Sequence, residues 1–413
     1  MNNPYTTIPA PGPGEDTTFT LEVWEQHDMP PILYLAEGWT EIEAETFTDN
    51  PDLEMILIPA SVVSIQDDAF NGAISLRQVE FAQGSRLEFI GDGVFAGTTD
   101  LESIQIPASV TMIDEAAFSN ASSLVEVTFE EGSQLESIGN GAFLDATALE
   151  RIRIPSGVDY IGLGAFNGAT SLQTIRIPRL VDTLMSFTFE NATSLREVTF
   201  EEDSQLEFIL DGAFRNAIAL QTIQIPASVL TIRENAFANT TNLRELSFER
   251  NSEITSIHPT AFVGSGLTLV VMGEIVLEGL NDRRMTLNLP PLRFGQNNNF
   301  YGAGNVTIVS RAQQISSLMF SMRNTPTRPR VSDDITRRVG TFLMPPGVVP
   351  KSRKALEARG AAMEEESEGE ESAGGARKSR RRKPGIRRSV RKASGARKTK
   401  KRKSKRRRTM KRR

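Results

Sequence analysis

A phenylalanine returns at Phe47, Phe70, Phe95, Phe118, Phe143, Phe166, Phe189, Phe214, Phe237 and Phe262, always 23 or 25 residues after the last. The rest of the unit repeats with it. Leucine stands six residues after each of the first nine, from Leu53 to Leu243. Apolar residues follow at nine and eleven, as in Ile104 and Ile106, and Ile or Leu stands five residues before all ten. A unit this short has too little surface to close a core alone. Its apolar residues find cover only against neighbouring copies, so the pattern demands a stacked array with continuous Phe, Leu and Ile columns.

The turns obey the same constraint. Two residues after each phenylalanine stands Gly, Asn or Asp, including Gly72, Asn120, Asp145 and Gly264, the residue types that tolerate a left-handed backbone. From the second unit on, the next residue is Ala, Thr or Ser, as at Ala73, Thr98 and Ser265, where a larger side chain would hold the copies apart. Units of 23 residues end their main strand in proline, at Pro59, Pro107, Pro155, Pro178 and Pro226, which has no N–H to extend a ladder. Units of 25 residues use a longer loop there, turning at Gly84, Gly132, Asp203 or Asn251.

The expected fold is an α/β-type repeat solenoid, mostly short strands and loops, of about ten such units. Five segments follow from composition: an N-terminal segment or cap over 1–33, the solenoid over 34–270, a C-terminal cap over 271–350, an acidic disordered linker over 351–376 and a basic disordered tail over 377–413. Within the cap, FYGAGNVTIVS, with Phe300 and Val306, looks like a degenerate last unit reached after an insertion.

The runs IPASVTMIDEAAFSNASSL and FEEGSQLESIGNGAFLDATALERIRIP resemble the BspA-like leucine-rich repeats, the Treponema-type class. One departure is alanine or threonine in the AF turn, where such units often carry cysteine. The resemblance implies the solenoid fold and a protein-binding role, with surface adhesion as the role of many exported members.

Charge divides the chain. Residues 377–413 hold 23 Lys and Arg and no acid, whereas residues 1–376 hold 24 basic residues against 52 acidic ones. No lysine precedes Lys351, so the repeats draw all their positive charge from arginine. With no cysteine there are no disulfides and no thiolate chemistry. The first residues, MNNPYTTIPAPGPGEDTTF, lack the basic and apolar regions of a secretory signal, and no apolar run reaches the length of a membrane span. The expected setting is therefore intracellular, in a nucleus or a virion.

No enzyme is expected. His27 and His258, the only histidines, lie far apart and offer neither a metal cluster nor a base beside a nucleophile, so no catalytic, cofactor-binding or metal-ligating residues are expected. The strand face is the candidate protein-binding surface. Its one local feature is Arg151, Arg153 and Arg176 on adjacent units, flanked by Glu126 and Glu197. Two readings stand: a solvated face of Arg–Glu pairs, or a docking site for an acidic peptide. Glu130, Glu131, Glu201, Glu202 and Glu249 form an acidic rim, read as a solubility feature or as a surface for a basic partner. Sequons at Asn120, Asn191, Asn239 and Asn305 are read as turn chemistry rather than glycosylation.

The tail is a polycation without aromatic residues. Arg380, Arg381, Arg382 and Lys383, with Lys400, Lys401, Arg402, Lys403, Lys405, Arg406, Arg407 and Arg408, are the candidate residues for nucleic acid or another polyanion, and match nuclear-import clusters. Tails of this kind are similar to those on proteins of large DNA viruses, which implies packaging as a setting. The leading expectation is a scaffold with a targeting tail; the alternatives are a nucleic-acid-packaging protein acting through the tail, and a surface adhesin.

Overall fold

A computed structural model describes residues 6–286, 290–293, 296–310 and 313–314. Contacts divide the chain into two units, 1–326 and 327–413, and the described residues all belong to the first.

These residues form a parallel β-solenoid with few helices. Each turn supplies a long strand of up to four residues, as in Met55–Ile58 and Glu245–Phe248, and a two-residue short strand, as in Ser64–Ile65. The long strands follow the period of two that a half-buried strand requires: Ser103–Ile106, Thr174–Ile177 and Thr222–Ile225 alternate exposed and buried.

The phenylalanines form one column. From Phe47 to Phe262 each ring stacks on the next with centroids 4.8–5.4 Å apart and planes within 17°. The column is longer than the phenylalanine repeat. Trp24 sits 4.7 Å before Phe47, in the place a phenylalanine would take, and Phe300 sits 5.5 Å beyond Phe262, tilted by 49°. Trp24 to Phe300 thus makes twelve aromatic rungs. Phe19, paired in the short ladder with Ile42, replaces the aliphatic residue of its column.

Further strands extend the stack at both ends. Ahead of the first long strand, Thr6–Ile8 pairs with Ile32–Leu35. Beyond the last repeat, Ala303–Ser310 pairs with Leu269–Met272, setting Ile308 opposite Val270, and the helix Glu274–Thr286 intervenes in the chain between them. That helix buries Leu280 and Arg284. The Arg284 guanidinium lies 4.9 Å over the Tyr301 ring and donates to the carbonyls of Pro290 (2.7 Å) and Asn299 (3.3 Å), so the buried cation is hydrogen-bonded.

The turn chemistry has a geometric cause. All ten residues two places after a phenylalanine have positive φ, from 52° at Asp49 to 75° at Gly168. A second left-handed residue stands two places before nine of the phenylalanines, among them Gly93, Ala116, Gly141 and Phe187. The pair of reversals aims alternate N–H groups along the stack. Gly93, Phe95 and Gly97 donate to the carbonyls of Glu115, Ala117 and Ser119 at 2.9, 2.7 and 2.7 Å, and other turns repeat this. The backbone that a loop would leave to water is satisfied by the next copy.

Every 23-residue turn that precedes a 25-residue turn is hydrogen-bonded to it through the full length of its long strand. Met55–Ile58 pairs with Gln78–Phe81, Ser103–Ile106 with Glu126–Phe129, Thr174–Ile177 with Glu197–Phe200, and Thr222–Ile225 with Glu245–Phe248, each over four residues. The joints after Gln78–Phe81 and Glu197–Phe200 are not laddered, whereas those after Glu126–Phe129 and Glu245–Phe248 are. Phe143, Phe166 and Phe189 follow one another at two successive intervals of 23. The turn between the first two therefore has no 25-residue mate. Its strand, Arg151–Ile152, pairs over two residues with Glu126–Val127 and with no strand ahead of it. The short-strand ladder, otherwise continuous from Thr18–Phe19 to Ser256–Ile257, breaks at the same joint, between Tyr160–Ile161 and Thr183–Leu184.

Candidate functional site

The unmated turn carries RIRIP, and it places Arg151 and Arg153 on the outward side of Ile152, which is buried. Beside it lies a depression of about 430 Å³ lined by Glu126, Thr128, Phe129, Arg151, Ile152, Arg153 and Thr174. The open joint borders this depression, and the half-buried Phe129 is among the residues that line it.

The sequence-predicted residues divide. Arg151 Nε meets Glu126 Oε1 at 3.1 Å, and its Nη1 lies 3.7 Å from Glu150. Both side chains of the first pair are largely exposed, so the contact is worth about 0–1 kcal/mol. Arg176 turns away, with Nε 3.5 Å from Glu201 Oε1. Glu197 stands opposite Thr174 in the ladder and is not brought to the arginines. Arg153 is exposed and, among the described residues, has no ion-pair partner.

The acidic rim holds a device that composition does not announce. After three of the strand-ending prolines, Pro107, Pro178 and Pro226, the following N–H is accepted by a glutamate of the next turn. Glu130 accepts from Ala108 at 3.0 Å, Glu201 from Arg179 at 3.2 Å and Glu249 from Ala227 at 3.1 Å. Glu37, of the preceding turn, accepts from the N–H groups of Ala60 and Ser61 after Pro59, both at 2.9 Å. Glu201 also takes the Ser156 hydroxyl at 2.7 Å, across the open joint. Glu131 and Glu202 are left exposed.

On the phenylalanine turns the asparagines form a ladder. Asn191 donates to Asn167, Asn216 to Asn191 and Asn239 to Asn216, at 3.2, 2.8 and 3.0 Å. The Asn120 amide donates to Ser119 at 2.9 Å. At Asn120, Asn191 and Asn239 the nitrogen a glycan would take is therefore already engaged, and all four sequon asparagines have positive φ. Next to the ladder the buried Glu190 pairs with Arg215, whose guanidinium lies 5.3 Å over the ring of Phe187, the one aromatic among the left-handed residues two places before a phenylalanine.

His27 bonds to the carbonyl of Val23 and His258 to Thr260, each within its own turn. Among the described residues no group of three or more His, Asp or Glu is placed to hold a metal ion, and no helix is long and apolar enough to cross a membrane. The tail residues, Arg380 to Arg408, lie outside the described residues, as does the acidic run 364–371.

Asp92 is the carboxylate whose environment shifts it upward. Partial burial is the main cause, followed by the charges of Asp114 and Asp67 in neighbouring turns, and the shift is opposed by the Glu115 N–H it accepts. A carboxyl raised in the folded state binds protons more readily folded than unfolded, so its charged form opposes folding above that raised value. Asp92→Asn is expected to raise the midpoint of thermal unfolding at neutral pH. The gain should shrink as pH falls toward 3.8, the ordinary value, where aspartate is itself protonated in both states. A gain that grows on acidification would contradict this.

The family model for the BspA type leucine rich repeat region matches residues 40–173 and 161–278, in six copies. No curated protein matches the chain. Among solved structures, a leucine-rich repeat protein from Bacteroides ovatus is similar at 20% identity, over 66% of this chain and 88% of its own, with a TM-score of 0.41. A leucine rich cell surface protein from Faecalibacterium prausnitzii is similar at 22% identity, over 67% and 85%, also at 0.41. A leucine rich repeat protein of T. pallidum is similar at 23% identity, over 46% and 79%, at 0.35.

Proposed function

The chain belongs to the BspA-type leucine-rich-repeat family, and from that premise we propose that it is a non-enzymatic scaffold that binds a protein partner on its long-strand face, centred on the unmated turn. The observation that carries this reading is Arg153, an exposed guanidinium without an ion-pair partner among the described residues, in a depression with an aromatic wall. A planar fork of donors beside apolar surface suits an extended acidic segment, whose carboxylate Arg153 takes while Arg151 exchanges Glu126 for the ligand. Arg176 and Glu197 belong to the periphery of that surface.

The basic residues of 377–413 act as a separate module that addresses the scaffold to nucleic acid or another polyanion, in a nucleus or a virion. The support is their charge, 23 basic residues without an acid. The two modules are separable by experiment. Partners crosslinked to the full chain are expected to be lost, at least about tenfold, from the Arg153→Glu variant, since truncating or reversing a central charged contact costs more than about 1.4 kcal/mol. Removing 377–413 should abolish salt-dependent nucleic-acid binding and leave those partners in place. The same crosslinks on wild type and Arg153→Glu would defeat the proposal.

A further inference from the structure

The short-strand face carries a second surface, which spans the joint after the unmated turn. In most turns the outward residue four places before the phenylalanine is glycine or polar, as at Gln66, Asp114, Arg233 and His258. In the turns of Phe189 and Phe214 it is Met185 and Leu210, both half-buried. Tyr160 and Leu163 in the turn before, 39% and 48% exposed, and the half-buried Phe208 extend these into one apolar strip. The ladder break between Tyr160–Ile161 and Thr183–Leu184 falls within it.

A row of carboxylates borders the strip. The residue directly before each short strand is Glu136, Asp159, Asp182 and Glu207 in four consecutive turns, all exposed, whereas the turns on either side have Thr111 and Leu230 there. Among the described residues none of the four makes an ion pair. No basic residue occurs in 136–140, 159–163, 182–186 or 207–211. An apolar strip with one uncompensated anionic border selects a ligand that is apolar on one side and cationic along its edge.

The spacing selects its backbone. The rungs that carry the four carboxylates follow one another at 5.2, 5.4 and 5.4 Å, taken at the phenylalanine rings. An α-helix advances about 5.4 Å per turn, so a helix laid along the solenoid axis brings one side chain per turn near each of the four rungs. An extended strand, at about 3.3 Å per residue, falls out of register within two rungs.

We propose that this face binds a basic amphipathic helix of a partner protein, with its apolar side on Tyr160, Leu163, Met185, Phe208 and Leu210 and one Arg or Lys per turn on the carboxylate row. The row spans roughly 16 Å, the length of about ten helical residues. This surface is distinct from the Arg153 depression and does not depend on it.

The test uses the full chain and a labelled peptide of roughly fourteen residues, leucine on one side and arginine once per turn along its border, with binding read by fluorescence anisotropy. Saturable binding is expected. Joint neutralisation by Glu136→Gln, Asp159→Asn, Asp182→Asn and Glu207→Gln should weaken it at least about tenfold, from four exposed pairs of a few tenths of a kcal/mol or more each. Leu163→Ser, at an exposed position, should weaken it separately, and a scrambled peptide of the same composition should bind at least about tenfold more weakly. Arg153→Ala should leave peptide binding unchanged, which keeps this result apart from that of the long-strand face. Equal binding of the scrambled peptide, or undiminished binding by the neutralised chain, would overturn the proposal.

Discussion

Phe143→Ala is expected to lower the free energy of unfolding by about 3–5 kcal/mol, the range for removing a fully buried aromatic side chain from a packed core. Phe143 is fully buried and stacks at 5.2 Å on both Phe118 and Phe166, so the truncation opens a cavity between two rungs and strips both of a ring contact. Its place in the array adds a second consequence. Stability in a quasi-one-dimensional stack is the sum of each turn's own stability and its two interfaces, and both interfaces of a central turn are weakened at once. The turn affected also lies next to the joint where both ladders break. Denaturant unfolding followed by circular dichroism should therefore shift to a lower midpoint and broaden, as the two flanking blocks begin to unfold separately. Ile74→Ala, at a side chain 49% exposed, supplies the comparison and should change stability by less than about 0.5 kcal/mol. A Phe143→Ala midpoint no lower than that of Ile74→Ala would mean the aromatic column does not hold the stack together.

What could be read from the residues alone follows from which positions tolerate only one chemistry. The phenylalanine column and the left-handed position after it were legible because a buried ring slot and a positive φ each admit few residue types. The left-handed position before the phenylalanine was not, because Glu45, Asp68, Ala116 and Phe187 hide it among glycines. Its regularity comes from hydrogen bonds to the next turn, which constrain the backbone and leave the side chain free. The rungs at the ends were missed for a related reason. Trp24 and Phe19 fill the Phe and Ile columns with different residues, although their spacings of 23 to Phe47 and 5 from each other were available. The site divides in the same way. Arg151 and Arg153 on adjacent outward positions were visible from alternation, whereas the turning of Arg176 toward Glu201 depends on the glutamate that caps the N–H after Pro178, a contact between turns with no local signature.

The joint itself was written in the spacings, as two successive intervals of 23 where the others mostly alternate. Its meaning needed the ladder, because only hydrogen bonding shows that both ladders are interrupted at the joint after Arg151–Ile152. Both candidate surfaces border that turn. Both ladders are interrupted at that joint, and the depression on the long-strand face and the apolar strip on the short-strand face lie at the same point along the stack.

Gly162→Ala is expected to cost about 3 kcal/mol, at the upper end of what overpacking a tight interior takes. The cause is contact and not torsion. The φ of Gly162 is outside the left-handed region, but a Cβ there would stand 2.5 Å from both the Asn140 nitrogen and the Gly139 carbonyl carbon. These are backbone atoms of the preceding turn, so no side chain can swing aside, and the turns would have to separate. Gly139 repeats the situation one turn earlier, where a Cβ would stand 2.6 Å from the Asp114 carbonyl carbon. The two glycines draw the short strands Ser137–Ile138 and Tyr160–Ile161 together, and the ladder opens immediately beyond, where Met185 takes the equivalent position. Gly164→Ala isolates the alternative cause. Gly164 has φ +60° with its nearest neighbour, the Asn167 Cβ, at 3.7 Å, so alanine there meets torsional strain alone, worth about 1 kcal/mol. Thermal unfolding of the two variants should rank Gly162→Ala well below Gly164→Ala. Equal losses would show that the turns separate at little cost.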